Sequence, residues 1–150
     1  MFGVPHASFA TDFPPSSGGL PPERRLARGL RQACTSAGAI CSRIELWRGL
    51  GWIFSGEIRG REFEVYFSRY PNGRTLLAVA PLGANGFLTR VFGPDRAARE
   101  SEYLHSVCEA IHSYLAAHRD VAELRWMVGG LPARSRQFLT PTQFPWPTTA

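Results

Sequence analysis

Two short turns constrain this chain more than any other feature, because together they set the pairing of three consecutive strands. Arg59-Gly60 separates two stretches of alternating apolar residues, 52–58 and 61–67. If those two residues are the whole turn, Trp52 stands opposite Phe67, Phe54 opposite Val65 and Gly56 opposite Phe63, so the core side chains share one face. A bulged turn would set Phe63 against Ser55 and scatter that face, although Arg59 is a poor residue for the positive φ that a type I′ turn demands. Farther on, Pro71-Asn72-Gly73 has the composition of a type I turn closed by a left-handed glycine. It pairs Tyr70 with Arg74, hence Phe67 with Leu77 and Val65 with Val79, and the same face grows. An antiparallel sheet of about 4–5 strands over residues 43–92 is expected, its last strand near Phe87–Phe92.

Two helices should flank that sheet, giving an α+β fold. The first runs from Pro22 to about Ala37, with Pro22 and Glu23 suited to its first turn and Gly38 to its stop. Leu26, Leu30, Ala33 and Ala37 recur at helical spacing as its buried stripe. Gly93-Pro94-Asp95 opens a long second helix to about Arg119, with Leu104, Val107, Cys108, Ile111 and Leu115 facing the core. Asp120 and Glu123 have capping-box spacing and predict a short helix ended by Gly129-Gly130. Residues 22–130 thus read as one domain. Residues 1–21, rich in Pro, Ser and Gly, read as a flexible lead-in. Residues 131–150 read as a Pro- and aromatic-rich tail whose rings dock on their own domain or on a partner.

Composition removes several chemistries. All 17 basic side chains are arginines. Without lysine there is no Schiff base, no phosphate-loop ammonium and no kinase-type ATP contact, and arginine cannot serve as a general base. A GC-rich coding sequence is the compositional cause of such a bias. The net charge of +5 suits anionic partners, but 12 carboxylates are spread through the same 150 residues. No apolar run approaches the roughly 18–20 residues of a membrane span, and the first residues lack a signal-peptide pattern. Three cysteines without a C-x-x-C pair fit free thiols in a reducing bacterial cytoplasm.

Candidate functional residues fall into three groups. The hairpin registers place Ile53, Tyr66, Leu76 and Ala78 on the sheet face opposite the core, too apolar for water alone, so a helix, a docked tail, a partner protein or a second copy should cover them. Arg24, Arg28 and Arg31 project from the first helix as a positive docking face for an acidic protein or a phosphate backbone. Glu57, Glu62 and Glu64 crowd one end of the outer face, either as a carboxylate cluster for proton transfer or a hard cation, or as an acidic end neutralised by Arg59 and Arg61.

Other patterns fall away. Glu102, His105, Glu109 and His112 line one side of the long helix, but the first helix has no matching ligands, so a solvated polar face is expected there. His118-Arg119-Asp120 spells the start of a kinase catalytic loop in a chain with neither the lysine nor the glycine-rich loop that such an enzyme needs. No nucleophile elbow is present, and no catalytic residue, metal site or cofactor is assigned. The order of elements resembles small secretion-chaperone-like and immunity-protein folds, an architectural resemblance that transfers no residue or activity. The expected function is a non-enzymatic protein-binding or adaptor module. Nucleic-acid binding through arginines is the alternative, and a small metal-dependent or acid–base enzyme using the three glutamates comes third.

Overall fold

Both turns set the registers expected of them. β4 (Gly51–Ile58) pairs with β5 (Arg61–Arg69) as Trp52↔Phe67, Phe54↔Val65 and Gly56↔Phe63. Arg59 (φ 53°) and Gly60 (φ 76°) both occupy the left-handed region, so Arg59 takes the type I′ position despite its Cβ. β6 (Arg74–Pro81) then pairs with β5 as Phe67↔Leu77 and Val65↔Val79. Gly73 (φ 83°) closes that turn, and the Tyr70 N–H donates to the Arg74 carbonyl at 2.7 Å.

The computed structural model describes residues 5–11, 22–47, 51–70, 73–82, 94–128, 136–144 and 146. The strand expected at Phe87–Phe92 lies outside them. The described residues form one antiparallel sheet and two long helices, an α+β fold, but the sheet has eight strands rather than four or five. The additions come from both ends of the chain. β1 (Pro5–Thr11), within the segment read as flexible, sits between β6 and β7 (Val121–Val128) and pairs with both. It is held there because Ala7 and Phe9 alternate inward and are fully buried, a period of two inside an otherwise Pro- and Gly-rich stretch. β7 replaces the short helix expected after Asp120. Leu124, Trp126 and Val128 pack toward the core at every second residue, and the ladder to β1 overrides the local capping pattern. β8 (Arg136–Phe138) pairs with β7 at one edge.

At the other edge β2 (Ile40–Cys41) and β3 (Glu45–Trp47) pair in succession with β4, with a one-residue register shift between them. The Ser42 side chain fills the break. Its Oγ accepts the Ser55 N–H at 2.9 Å, while its carbonyl accepts from Arg31 Nε at 2.7 Å.

α1 (Pro22–Ser36) and α2 (Pro94–Ala117) cover the same face of the sheet and touch each other. The buried stripe of α1 is Leu26, Ala27, Leu30 and Cys34. Ala33 is half-buried, and Ala37, placed in the stripe by spacing, is exposed beyond the helix end. Gly38 (φ 105°) stops the helix, with the Ala39 N–H returning to the Cys34 carbonyl at 3.0 Å. Where the helices cross, a Cβ on Gly29 would overlap the Tyr114 ring, so only glycine admits that ring. Leu104, Val107, Cys108, Ile111 and Leu115 of α2 are all buried, as their spacing predicts. Trp126 is the largest fully buried side chain, and its indole N–H donates to His112 Nδ1 at 3.1 Å.

Candidate docking face and the residues around it

With both helices on one side, the opposite side of the sheet carries no helix among the described residues. Its composition follows from register. Glu45, Ile53, Tyr66, Ala78, His6, Met127 and Gln137 are successive partners in one lateral row across the sheet. The next row runs Ser68, Leu76, Ser8 and Arg125. Ile53, Tyr66, Leu76 and Ala78 are therefore neighbours on one face, all half-buried. His6 and Met127 complete their row and were missed in the sequence, because β1 read as a loose segment and β7 as a helix. Period-two alternation marks both segments as strands, but only their pairing across the chain places these two residues in the row.

Trp47 closes one side of this face. It pairs with Gly51, and its ring meets Tyr66 edge-on at 5.2 Å. Gly51 is required there, since a Cβ would press on the Phe67 carbonyl and the Tyr66 ring. Beyond the apolar rows the two ends differ in charge. Glu57 and Glu62 are cross-strand partners, both exposed, and Glu64 is half-buried opposite Ser55. These carboxylates lie where the hairpin registers place them. No group of three or more His, Cys, Asp or Glu among the described residues is arranged to hold a metal ion. At the other end Arg74 reaches across β1. Its Nε donates to Ser8 Oγ at 3.0 Å, and its other nitrogens bond Glu123 Oε2 at 2.8 Å and the Glu123 carbonyl at 3.2 Å. That clamp holds Glu123 at φ 55°, where β7 shifts register against β1.

The arginines of α1 divide into two kinds. Arg24, Arg25 and Arg28 are exposed on the first two turns. Arg31 is half-buried and committed internally, donating to the carbonyls of Ser42 and Cys41 at 2.7 and 2.9 Å. Glu23 pairs with Arg69 at 3.3 Å and ties the start of α1 to the end of β5.

The polar side of α2 is only partly the solvated face expected: Glu102 is exposed, but His105, Glu109 and His112 are half-buried. Residues 136–146 cross it as a strap. One turn of 3-10 helix, Pro141–Gln143, leads to Phe144, which packs on Trp126 and Phe138. Trp146 stacks on His105 with ring centroids 4.8 Å apart. The aromatic tail thus docks on its own domain. Of the three thiols, Cys34 and Cys108 are buried and Cys41 is half-buried. Burial, with Cys41 nearby, pushes the Cys34 thiol up to about 12, and burial raises Cys108 well above the usual thiol range. Neither is an activated nucleophile. No helix among the described residues is long and apolar enough to cross a membrane. Comparison of the chain with protein-family models finds no match, and neither does comparison with curated proteins.

Proposed function

We propose that the protein is a protein-binding or adaptor module whose partner docks on the helix-free face of the sheet, around Ile53, Tyr66, Leu76 and Ala78, while Arg24 and Arg28, on the helix-bearing side, offer a separate contact. One observation carries this reading: among the described residues, an apolar centre stands half-exposed on a sheet whose other face alone is covered by helices. A solvated antiparallel face is ordinarily polar, so four such side chains in adjoining rows favour a covered state. Glu57 and Glu62 lie toward one end of this centre and the exposed Arg125 toward the other, where Arg74 is paired with Glu123, a two-signed rim that suits a protein surface better than a uniform polyanion.

The test is a photo-cross-linking amino acid placed at Leu76, with Arg119 as the control position. Expected are protein adducts at position 76 that survive nuclease, are absent at position 119, and fall by about tenfold when Tyr66→Ser and Ala78→Arg are added. Equal adducts at both positions, or adducts that vanish with nuclease, would sink the reading. Nucleic-acid binding is the second reading, favoured by the three exposed arginines on the first turns of α1. It requires affinity for DNA or RNA that falls with salt at a slope of about −0.9 per phosphate contacted.

A further inference from the structure

The row that crosses the helix-free face is a narrow stripe. Ile53, Tyr66, Ala78, His6 and Met127 follow one another on β4, β5, β6, β1 and β7. Two residues along the strands on one side, the flanking row is Ser68, Leu76, Ser8 and Arg125. On the other side it holds Ser55, Glu64 and Ala80. Apart from Leu76 and Ala80 the flanks are polar, and their charges have opposite sign. Arg125 is exposed on one, while Glu64 is half-buried on the other with Glu57 and Glu62 a step beyond it. Trp47 bounds the stripe at β3, its ring edge-on to Tyr66.

Width and charge together name the occupant. The strands spend their backbone groups in their own ladders, so whatever lies on the face meets it through side chains, and an added strand belongs at a sheet edge instead. A second sheet would lay several strands over the whole face and requires apolar rows throughout, which the serines, Glu64 and Arg125 do not supply. A single α-helix, about 10–12 Å across, seats its apolar stripe on the central row. Its two polar flanks then lie over the neighbouring rows, each roughly 6.6–6.8 Å away. From β4 to β7 the stripe crosses β5, β6 and β1, roughly 19 Å in all, which matches about 13 helical residues. Resting on the docking reading above, we infer that the partner presents an amphipathic helix that lies across the strands over Ile53, Tyr66, Ala78, His6 and Met127. Its acidic side chains are on the flank facing Arg125 and its basic ones on the flank facing Glu64.

The probe is a fluorescein-labelled, hydrocarbon-stapled helix of about 15 residues, with leucines on its stripe, lysines on one flank and glutamates on the other. Fluorescence anisotropy with the full chain reads its affinity. Expected is binding about tenfold tighter than that of the same peptide with serines in the stripe. Arg125→Glu, a change at an exposed position, should weaken this probe about fivefold and strengthen a probe with lysines on both flanks by a similar factor. That crossed response is what a helix set down between the two flanks requires, and apolar adhesion alone does not give it. Equal binding of the leucine- and serine-striped peptides, or an Arg125→Glu effect of the same sign on both probes, overturns the inference. Adducts at position 76 that join two copies of this chain overturn it too, naming a second copy as the occupant. The two readings fail separately. Adducts at position 76 to another protein, with neither probe bound, leave the docking face in place and remove the helix, whereas absence of the adducts removes both.

Discussion

Cys34 on α1 and Cys108 on α2 are both wholly buried, and neither side chain can ionise without bringing a charge into the core. The Cys34 thiol is raised from 9.0 to about 12, so between those values the folded chain keeps a proton that the unfolded chain releases. Its contribution to stability is therefore complete below about pH 9 and is lost as pH rises toward 12. Cys108 and Tyr114, both raised by burial, act in the same sense. Urea titrations from about pH 8 to 10.5 should show stability falling by about 1.4 kcal/mol per pH unit for each such thiol above pH 9. Cys34→Ala should flatten the slope, and a pH-independent midpoint would refute the assignment. At this scale the sequence was legible only where neighbours did not intervene. Arg31 has the same side chain as Arg28 and lies one turn away, yet it is tied to the Ser42 and Cys41 carbonyls while Arg28 is exposed. Helical spacing cannot report that difference, because the acceptors lie at and just after β2, ten and eleven residues on.

The elements read most accurately were those closed by local chemistry. Both hairpins hold their registers because each turn residue acts on the strands it directly joins. Arg59 is the weak point, a residue with a Cβ held at φ 53° where asparagine or glycine costs less. Arg59→Asn should stabilise the protein by about 1 kcal/mol, measured as a shift in the urea midpoint at unchanged m-value. No gain, or a loss, would mean that the Arg59 side chain makes a contact worth more than the strain. β7 was misread for the opposite reason. Its capping-box spacing is a local signal, whereas its strand pairing depends on β1, more than a hundred residues earlier. The polar side of α2 was misread likewise, since spacing shows that Glu102, His105, Glu109 and His112 share a side but not that Trp146 and the 3-10 turn lie across it.

For the molecule as a whole, the first eleven residues matter far more than their composition suggests. β1 is flanked by β6 on one side and β7 on the other, and Ala7 and Phe9 are fully buried. Phe9→Ala should cost about 3–5 kcal/mol, a large part of the roughly 5–15 kcal/mol that holds an ordinary domain together. Removing residues 1–11 should leave a chain without a cooperative thermal transition by circular dichroism. A truncated chain that melts like the full one would contradict the central place of β1.

The sequence by itself determined the α+β class, the central three-strand register, the two helices with the stripe of α2, and the side of the sheet on which Ile53, Tyr66, Leu76 and Ala78 lie. All of these follow from period and turn chemistry acting over a few residues. Tertiary structure alone decided that β1 and β7 widen the sheet and bring His6 and Met127 into the candidate face, that Arg31 is spent internally, and that the aromatic tail closes over α2. Each depends on groups far apart in the chain meeting to bury apolar surface or satisfy a carbonyl, and no local pattern records which distant partner will be there.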